Sequence, residues 1–498
     1  MARPHQVSHD AQPDGRRGSA LSGTDTPGSE CATPSTAPAD ARAEWWAAPG
    51  EDVAEVGVTG GVLERPLLPL RVFMSVMGVG PPAYHAESRS YRMRWTSPSG
   101  LATLVASAAV VALTAVAVVS LARHLLSTEE DPDQRPVQSL KTIGVLIVGG
   151  YQVNALVQVL NTAAGAARHA RLLSAWTRLA ALHHINPTRG LRRKCCVQVA
   201  FMAAFIAAML AAAIVGRPRF VGHVLEGLAE RLYLIPRSLL HDPASLPAKA
   251  VQVAVCCVAL HHFAINKSYL FAFTTHCHLL QAALTAWNTH LTRAIDQVWA
   301  GMGGDGVSVL VHGREQLVVL VRDTQSFFSP VLQCYFASTV IIVCTELYLL
   351  AQGVGSGLLL TEEVVVLILL TVQTTWLLIH VSLAAAGVQE QAEATGDVLG
   401  RGLPYAASPE DKHYVGELTR SLVVSPLHIT GGNFFTINRS FILTVVSVVL
   451  SYFIVILQFT QSCGSPDDPS TTTTTTTTST TNITTSNTTT NTTLDEDM

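Results

Sequence analysis

Residues Leu101 to Ala122 form an apolar run without a single charged side chain, long enough as a helix to cross about 30 Å of hydrocarbon. Six further runs follow, at Ile143–Ala164, Val197–Val215, Leu246–Ile265, Val331–Leu350, Val364–Ala386 and Phe441–Phe459. Composition agrees. Of the 498 residues, 48% are hydrophobic and 14% charged, against about 25% charged in soluble chains. A chain of this kind cannot surround several water-soluble cores with polar surface. The expected fold is therefore all-α, a multi-pass membrane protein with seven transmembrane helices. A net charge of -4, with no basic tract interleaved with aromatics, speaks against a nucleic-acid partner.

An odd number of spans puts the two ends of the chain on opposite sides, and loop charge orients them. The loop after the second run carries Arg168, Arg171, Arg178, Arg189, Arg192, Arg193 and Lys194 with no acid, which marks it as cytoplasmic. The amino terminus is then cytoplasmic and the carboxyl terminus extracellular. Residues 1–62 are rich in Ala, Pro, Ser, Gly, Asp and Thr without periodicity, and read as a disordered cytoplasmic segment. No basic stub and apolar region follow Met1, so an internal span is expected to direct insertion. Residues 63–84, broken by Pro66, Pro69, Pro81 and Pro82, suit a short helix lying under the bilayer. The folded channel-like region is taken as 63–462, and 463–498 as a Thr-rich extracellular tail glycosylated at Asn482, Asn487 and Asn491. Asn266 and Asn438 also match the acceptor pattern, but fall on the cytoplasmic side and are expected to stay unmodified. The long connections 266–330 and 388–440 contain amphipathic sequence and should form an intracellular helical layer.

The last run bears one polar stripe. Thr444, Ser447, Ser451 and Gln458 stand at offsets 0, 3, 7 and 14, which at 100° per residue gathers them within about 60° of one helix face. Such a stripe lines a pore or bonds to its own helix carbonyls and to neighbouring helices; the residues alone leave both open. Apolar Val455 and Phe459 are placed to close a path by dewetting.

Before and within that run the chain reads Phe434-Phe435-Thr436-Ile437-Asn438-Arg439 and then Ser451-Tyr452, five apolar residues, and Gln458-Phe459. This pair of motifs resembles the insect gustatory receptor family, whose last span carries Thr-Tyr, five apolar residues and Gln-Phe. Ser451 stands here for the threonine and keeps the hydroxyl. The resemblance implies a homotetrameric, ligand-gated, non-selective cation channel in the plasma membrane. The seventh helix of each subunit would line one central pore, with other receptor subunits as possible partners. It also implies a small tastant bound among the spans, with membrane lipids around them. Polar and aromatic residues inside the spans supply candidate contacts: Tyr151, Asn154, Glu346, Gln373 and Trp376, beside Gln252 and Tyr348, the last as easily an interfacial belt residue. Glu346 is the costliest of these to bury. No cofactor is expected. His276-Cys277-His278 lacks the second ligand pair that a closed zinc site needs, and no nucleophile and base fall in a pocket, so an enzyme is not expected. Two rival architectures remain. A G-protein-coupled receptor would put the amino terminus outside and end its last span in Asn-Pro-x-x-Tyr; a transporter would show repeats and broken spans.

Overall fold

A computed structural model describes residues 63–85, 88, 90–126, 135–182, 188–215, 228–230, 232–236, 245–299, 305–355, 361–402, 409–424 and 427–462. The chain divides into two units, 1–57 and 58–498, and every described residue belongs to the second. The proposed disordered segment, the three tail acceptors Asn482, Asn487 and Asn491, and Cys463 lie outside the described residues.

The helices in chain order are α1 (Glu64–Val76), α2 (Pro98–Leu126), α3 (Arg135–Leu182), α4 (Thr188–Val215), α5 (Leu246–Trp299), α6 (Asp305–Gly355), α7 (Thr361–Gly402), α8 (Pro409–Val424) and α9 (Arg439–Ser462). Two small antiparallel hairpins accompany them: β1 (Ala83–His85) with β2 (Ser90–Arg92), and β3 (Thr430–Gly431) with β4 (Phe435–Thr436). The all-α expectation omitted both. Their strands are two or three residues long, which is too short to leave an alternating pattern in the sequence.

Six helices among the described residues are long and apolar enough to cross a membrane: Pro98–Ser120, Val145–Ala180, Gly190–Ala211, Leu246–Asp296, Gly313–Ala351 and Val364–Gly400. The apolar part of α9 is shorter, Arg439–Val455, although the helix itself has 24 residues. Several helices outrun any bilayer. α5 has 54 residues, a length of about 80 Å at 1.5 Å per residue, so its carboxyl-terminal half projects beyond a hydrocarbon layer of about 30 Å. The connection 266–330, expected to belong to a helical layer, is made largely of continuations of α5 and α6, whereas 388–440 holds the end of α7, the separate helix α8 and the β3–β4 hairpin. Amphipathic sequence such as Leu279–Val298 follows the apolar run with no helix breaker between them, and the backbone simply carries on.

Helix packing centres on α5. α3 packs along α6 and α5, α7 along α5 and α6, and α4 against α5. From His262 to Cys277 every residue of α5 is buried, the pattern of a helix enclosed on all sides. Polar side chains bridge the neighbours where no water competes. Asn154 Nδ2 donates to Ser338 Oγ at 2.6 Å, Gln158 Nε2 to Asn266 Oδ1 at 2.7 Å, and Gln198 Nε2 to Thr274 Oγ1 at 3.0 Å. Asn266 is 0% exposed within α5, so its acceptor pattern is closed to a glycan.

α1 buries Leu67, Leu70, Phe73 and Met74 and packs on α4, with Pro69 inside it. This helix, expected to lie under a bilayer, is docked onto the helical core by one apolar face. The Gly80 amide donates to Thr103 Oγ1 at 2.6 Å and the Tyr91 amide to Ser174 Oγ at 2.9 Å, which ties the α1–β2 segment to α2 and α3. Burial pushes the Tyr91 phenol up to about 12.

Candidate functional site

Two places on the chain gather the residues singled out by sequence. The first is a polar junction inside the bundle. Tyr151 of α3 lies edge-on to Phe263 of α5 at 5.2 Å, and its hydroxyl is 3.4 Å from Thr374 Oγ1 of α7. Lys267, one turn along α5 from Phe263, holds its ammonium 4.7 Å from the Phe263 ring and 5.3 Å from the Tyr151 ring. Glu346 of α6 acts electrostatically on both Lys267 and Tyr151. Lys267 and Glu346 are each 0% exposed, and neither the lysine Nζ nor either carboxyl oxygen has a hydrogen-bond partner. Thr371 stands near the acid but gives its hydroxyl proton to the Leu367 carbonyl at 2.9 Å.

The expected ligand contacts separate here. Tyr151 and Glu346 belong to the junction. Asn154, one turn from Tyr151, is engaged by Ser338, with its carbonyl oxygen unpartnered. Gln373 is 3% exposed beside Thr374, and both amide atoms lack partners. Trp376 goes elsewhere. It is 39% exposed, stacked on His380 at 5.1 Å and 5.0 Å from Phe201 of α4. Gln252 and Tyr348 are half-buried. Sequence reading missed Lys267, because the fourth run was ended at Ile265 and the lysine assigned to a loop. A lone ammonium followed by the apolar stretch Tyr269–Phe273 was the available signal.

The second place is α9 and the hairpin before it. Gly432 and Asn433 turn β3 into β4 with φ of 63° and 61°, and a Cβ on Gly432 would collide with the side chain of Gln333. The hairpin is fixed to α6: Gln325 Nε2 donates to Thr430 Oγ1, and the Gly432 amide donates to Ser329 Oγ at 2.8 Å. The motif residues then divide their work. Phe435 stacks on Phe441 at 4.7 Å and meets Phe336 of α6, Ile437 is 1% exposed, and Asn438 Oδ1 caps α9 by accepting from the Phe441 amide at 2.9 Å. Arg439 Nη2 donates to Glu390 Oε2 of α7 at 2.9 Å. Phe434 is left 78% exposed. An open surface pocket of about 490 Å³ lies along this segment, lined by residues such as His428, Asn433, Phe435, Phe441 and Thr444. It shares no residue with the junction.

Among the described side chains of α9, only Val445 and Val449 are buried, and the helix packs against α6 and α7. Thr444, Ser447, Ser451, Val455 and Gln458 are all exposed. On the helical wheel this polar stripe lies about 145° from the buried one. Thr444 and Ser451 donate to the carbonyls of Ser440 and Ser447 at 3.1 and 2.8 Å, so their protons are satisfied within the helix while their oxygens stay outward. Tyr452 is 58% exposed and does not pack into its own chain. The side chain of Phe459 lies outside the described residues.

His276 and His278 diverge. His276 sits with Phe328 and His169, whereas His278 Nδ1 is 3.2 Å from Lys194 Nζ. Among the described residues, no three His, Cys, Asp or Glu side chains gather as metal ligands do.

Six long apolar helices, a largely exposed α9 and a buried polar junction define a multi-pass helical membrane fold. The family described as 7tm Chemosensory receptor matches residues 67–462, and the chain belongs to it. Two solved structures similar to this chain are those of the insect olfactory receptor OR5 from Machilis hrabei. The first is 16% identical, with a TM-score of 0.53, covering 80% of this chain and 98% of that one. The second, the same receptor in complex with eugenol, is 17% identical, with a TM-score of 0.53, covering 80% of this chain and 100% of that one. At that identity the likeness is one of fold. No curated protein matches the chain. Membership of a receptor family makes the protein a chemosensory receptor in type and not an enzyme.

Proposed function

We propose that the protein is a gustatory receptor that works as a ligand-gated, non-selective cation channel in the plasma membrane. Four copies would surround one pore, each lining it with Thr444, Ser447, Ser451, Val455, Gln458 and Phe459 of its α9. The observation that carries this reading is the exposure of the α9 polar stripe on the side away from its own chain. Hydroxyl and amide oxygens turned outward from an apolar helix suit water and partly hydrated cations, and a ring of neutral amides at Gln458 suits weak selectivity. Ligand entry would bias the bundle at the α3–α5–α6–α7 junction. The olfactory receptor of similar fold was solved in complex with eugenol, which makes a small organic compound a reasonable first ligand to test. Seven spans, a cytoplasmic amino terminus and a glycosylated tail complete the proposal.

Current recorded from cells expressing the full chain, against a panel of small organic compounds that includes eugenol, tests it. Cysteines introduced at Ser451 or Gln458 should react with charged thiol reagents in the open state and change conductance, whereas one at Phe453 should not. Absence of any compound-evoked current, or equal modification at all three sites, would sink the channel reading. For orientation, removing glycans should shift the gel mobility of the chain, and replacing Asn482, Asn487 and Asn491 together should abolish the shift.

A further inference from the structure

Three basic side chains converge where α4, α5 and α7 meet. Lys194 Nζ of α4 stands 3.2 Å from His278 Nδ1 of α5, and the His278 ring lies 6.3 Å from that of His380 on α7. Hydrogen bonds fix where the protons are. Gln281 Nε2 donates to the Ala384 carbonyl at 2.8 Å, which leaves its Oε1 as the group 3.2 Å from His278 Nδ1, so that nitrogen carries a proton and donates. An ammonium and a ring N–H thus face each other, both of them donors. Thr274 Oγ1 gives its proton to the Phe271 carbonyl and accepts from Gln198 Nε2 at 3.0 Å. The same Nε2 donates to His380 Nε2 at 3.0 Å, which puts the His380 proton on Nδ1. Their own helices offer these groups no acid nearby. α4 contains no Asp or Glu; the first acid beyond His278 on α5 is Asp296, about five turns on, and the nearest to His380 on α7 is Glu390, about three turns on and held by Arg439.

The cluster opens to the outside of the bundle. Lys194 is exposed, His380 is half-buried, and at His278 α5, enclosed from His262 to Cys277, comes back to the surface. Next along α4 and α7 stand Phe201 and Trp376, 5.0 Å apart and each 39% exposed, with Trp376 stacked on His380. At 100° per residue Phe201 falls about 20° from Lys194 on α4, so the two share a face. Beyond them α7 turns Val372 and Leu369 outward. Basic groups, an aromatic pair and bare apolar surface therefore follow one another as do the headgroup, interfacial and chain regions of a lipid. A phosphate group supplies the acceptor oxygens that two facing donors require. A zwitterionic headgroup would bring its own ammonium against Lys194, and free phosphate would leave the apolar part unused. We infer that the α4–α5–α7 groove binds an anionic phospholipid, its phosphate held by Lys194, His278 and His380 and a chain laid along Phe201, Trp376 and Val372. The orientation proposed above assigns this lipid to the cytoplasmic leaflet and enters nowhere else.

The full chain, purified in neutral detergent, is titrated with short-chain phosphatidate, short-chain phosphatidylcholine, glycerol phosphate and inorganic phosphate, with the unfolding midpoint as the readout. Phosphatidate is expected to bind about tenfold more tightly than each of the others. Lys194→Gln should lose that preference and Lys194→Arg should keep it. Arg420→Gln, which removes an exposed charge on α8, should leave it unchanged. A second measurement does not depend on the lysine. In nanodiscs of phosphatidylcholine, a minor fraction of phosphatidate brominated on its chains should quench tryptophan fluorescence more than the same fraction of brominated phosphatidylcholine, and Trp376→Phe should remove the excess. Equal binding of phosphatidate and phosphatidylcholine, free phosphate bound as tightly as the lipid, or a preference that survives Lys194→Gln would overturn the proposal. So would a preference that Arg420→Gln weakens as much as Lys194→Gln, the mark of general surface charge, or a quenching excess that is absent or persists in Trp376→Phe. Neither measurement records current, so the channel reading stands or falls apart from this one.

Discussion

α5 and α9 are both apolar helices, yet they end in opposite surroundings. α5 carries His262, Asn266, Lys267, Ser268, Thr274, Thr275 and His276 in a stretch where every residue is buried. α9 has only Ser, Thr, Tyr and Gln among its polar residues after Arg439, and most of its described side chains are exposed. Apolarity therefore does not decide burial in this protein. Lipid is as apolar as a protein core, so a greasy helix loses little by staying outside. A helix that carries amides and charges must instead find partners, and partners are found inside the bundle.

The largest expected effects come from the enclosed side of this contrast. Lys267→Met alone leaves Glu346 as an uncompensated buried acid and should destabilise the chain by about 3 kcal/mol or more, read as a lowered unfolding midpoint and reduced yield. If the single variant is as stable as the double change with Glu346→Leu, the two charges are not coupled. Phe273→Ala, at a position 0% exposed, should cost about 3 kcal/mol through the cavity it leaves, whereas Leu443→Ala, at 70% exposed, should change stability of the single chain by under about 0.5 kcal/mol. Equal losses at the two sites would show α9 to be as tightly packed as α5.

Smaller effects probe the joint between the regions. Asn438→Ala removes the cap from α9 and should cost about 1 kcal/mol, with faster amide exchange confined to the first turn of that helix. Exchange spread over the whole bundle would mean that the hairpin and α9 unfold together. Tyr91 is raised by burial from an ordinary phenol to about 12, so the unfolded chain ionises first. The stability that this group contributes is complete below pH 10 and is lost as pH rises toward 12; Tyr91→Phe should flatten that part of the stability curve. Smallest is the Arg439–Glu390 contact, whose side chains are 73% and 41% exposed. Glu390→Ala should change stability by about 0.5 kcal/mol or less, and less again at high salt.

Particular residues divide what was legible. The apolar runs at Leu101–Ala122 and Val364–Ala386 fall within α2 and α7 because a long uninterrupted run admits little but helix in a bilayer. The run ending at Ile265 was cut short, since Asn266 and Lys267 look like a membrane boundary by hydropathy; in the fold they meet Gln158 and the Tyr151 and Phe263 rings, and the helix goes on. Glu346 was legible as an anomaly but the buried Lys267 was not, because its burial depends on the helices that enclose α5, which are remote in sequence. Trp376 was legible as helix packing or a ligand platform; in the fold it stacks on His380 one turn along α7 and meets Phe201 of α4.

By itself the sequence determined that the chain enters a membrane as helices, through charge-free runs that no water-soluble packing could hide. It also placed the polar stripe on one face of α9, because helical periodicity is a local property of the backbone. Tertiary structure alone decided how far each helix continues past its apolar run and which face of α9 is left open. It likewise decided that a lysine of α5 and a glutamate of α6 are both fully enclosed. Those outcomes depend on which helices touch and how each is rotated about its axis, and such choices are fixed by packing between elements remote in sequence.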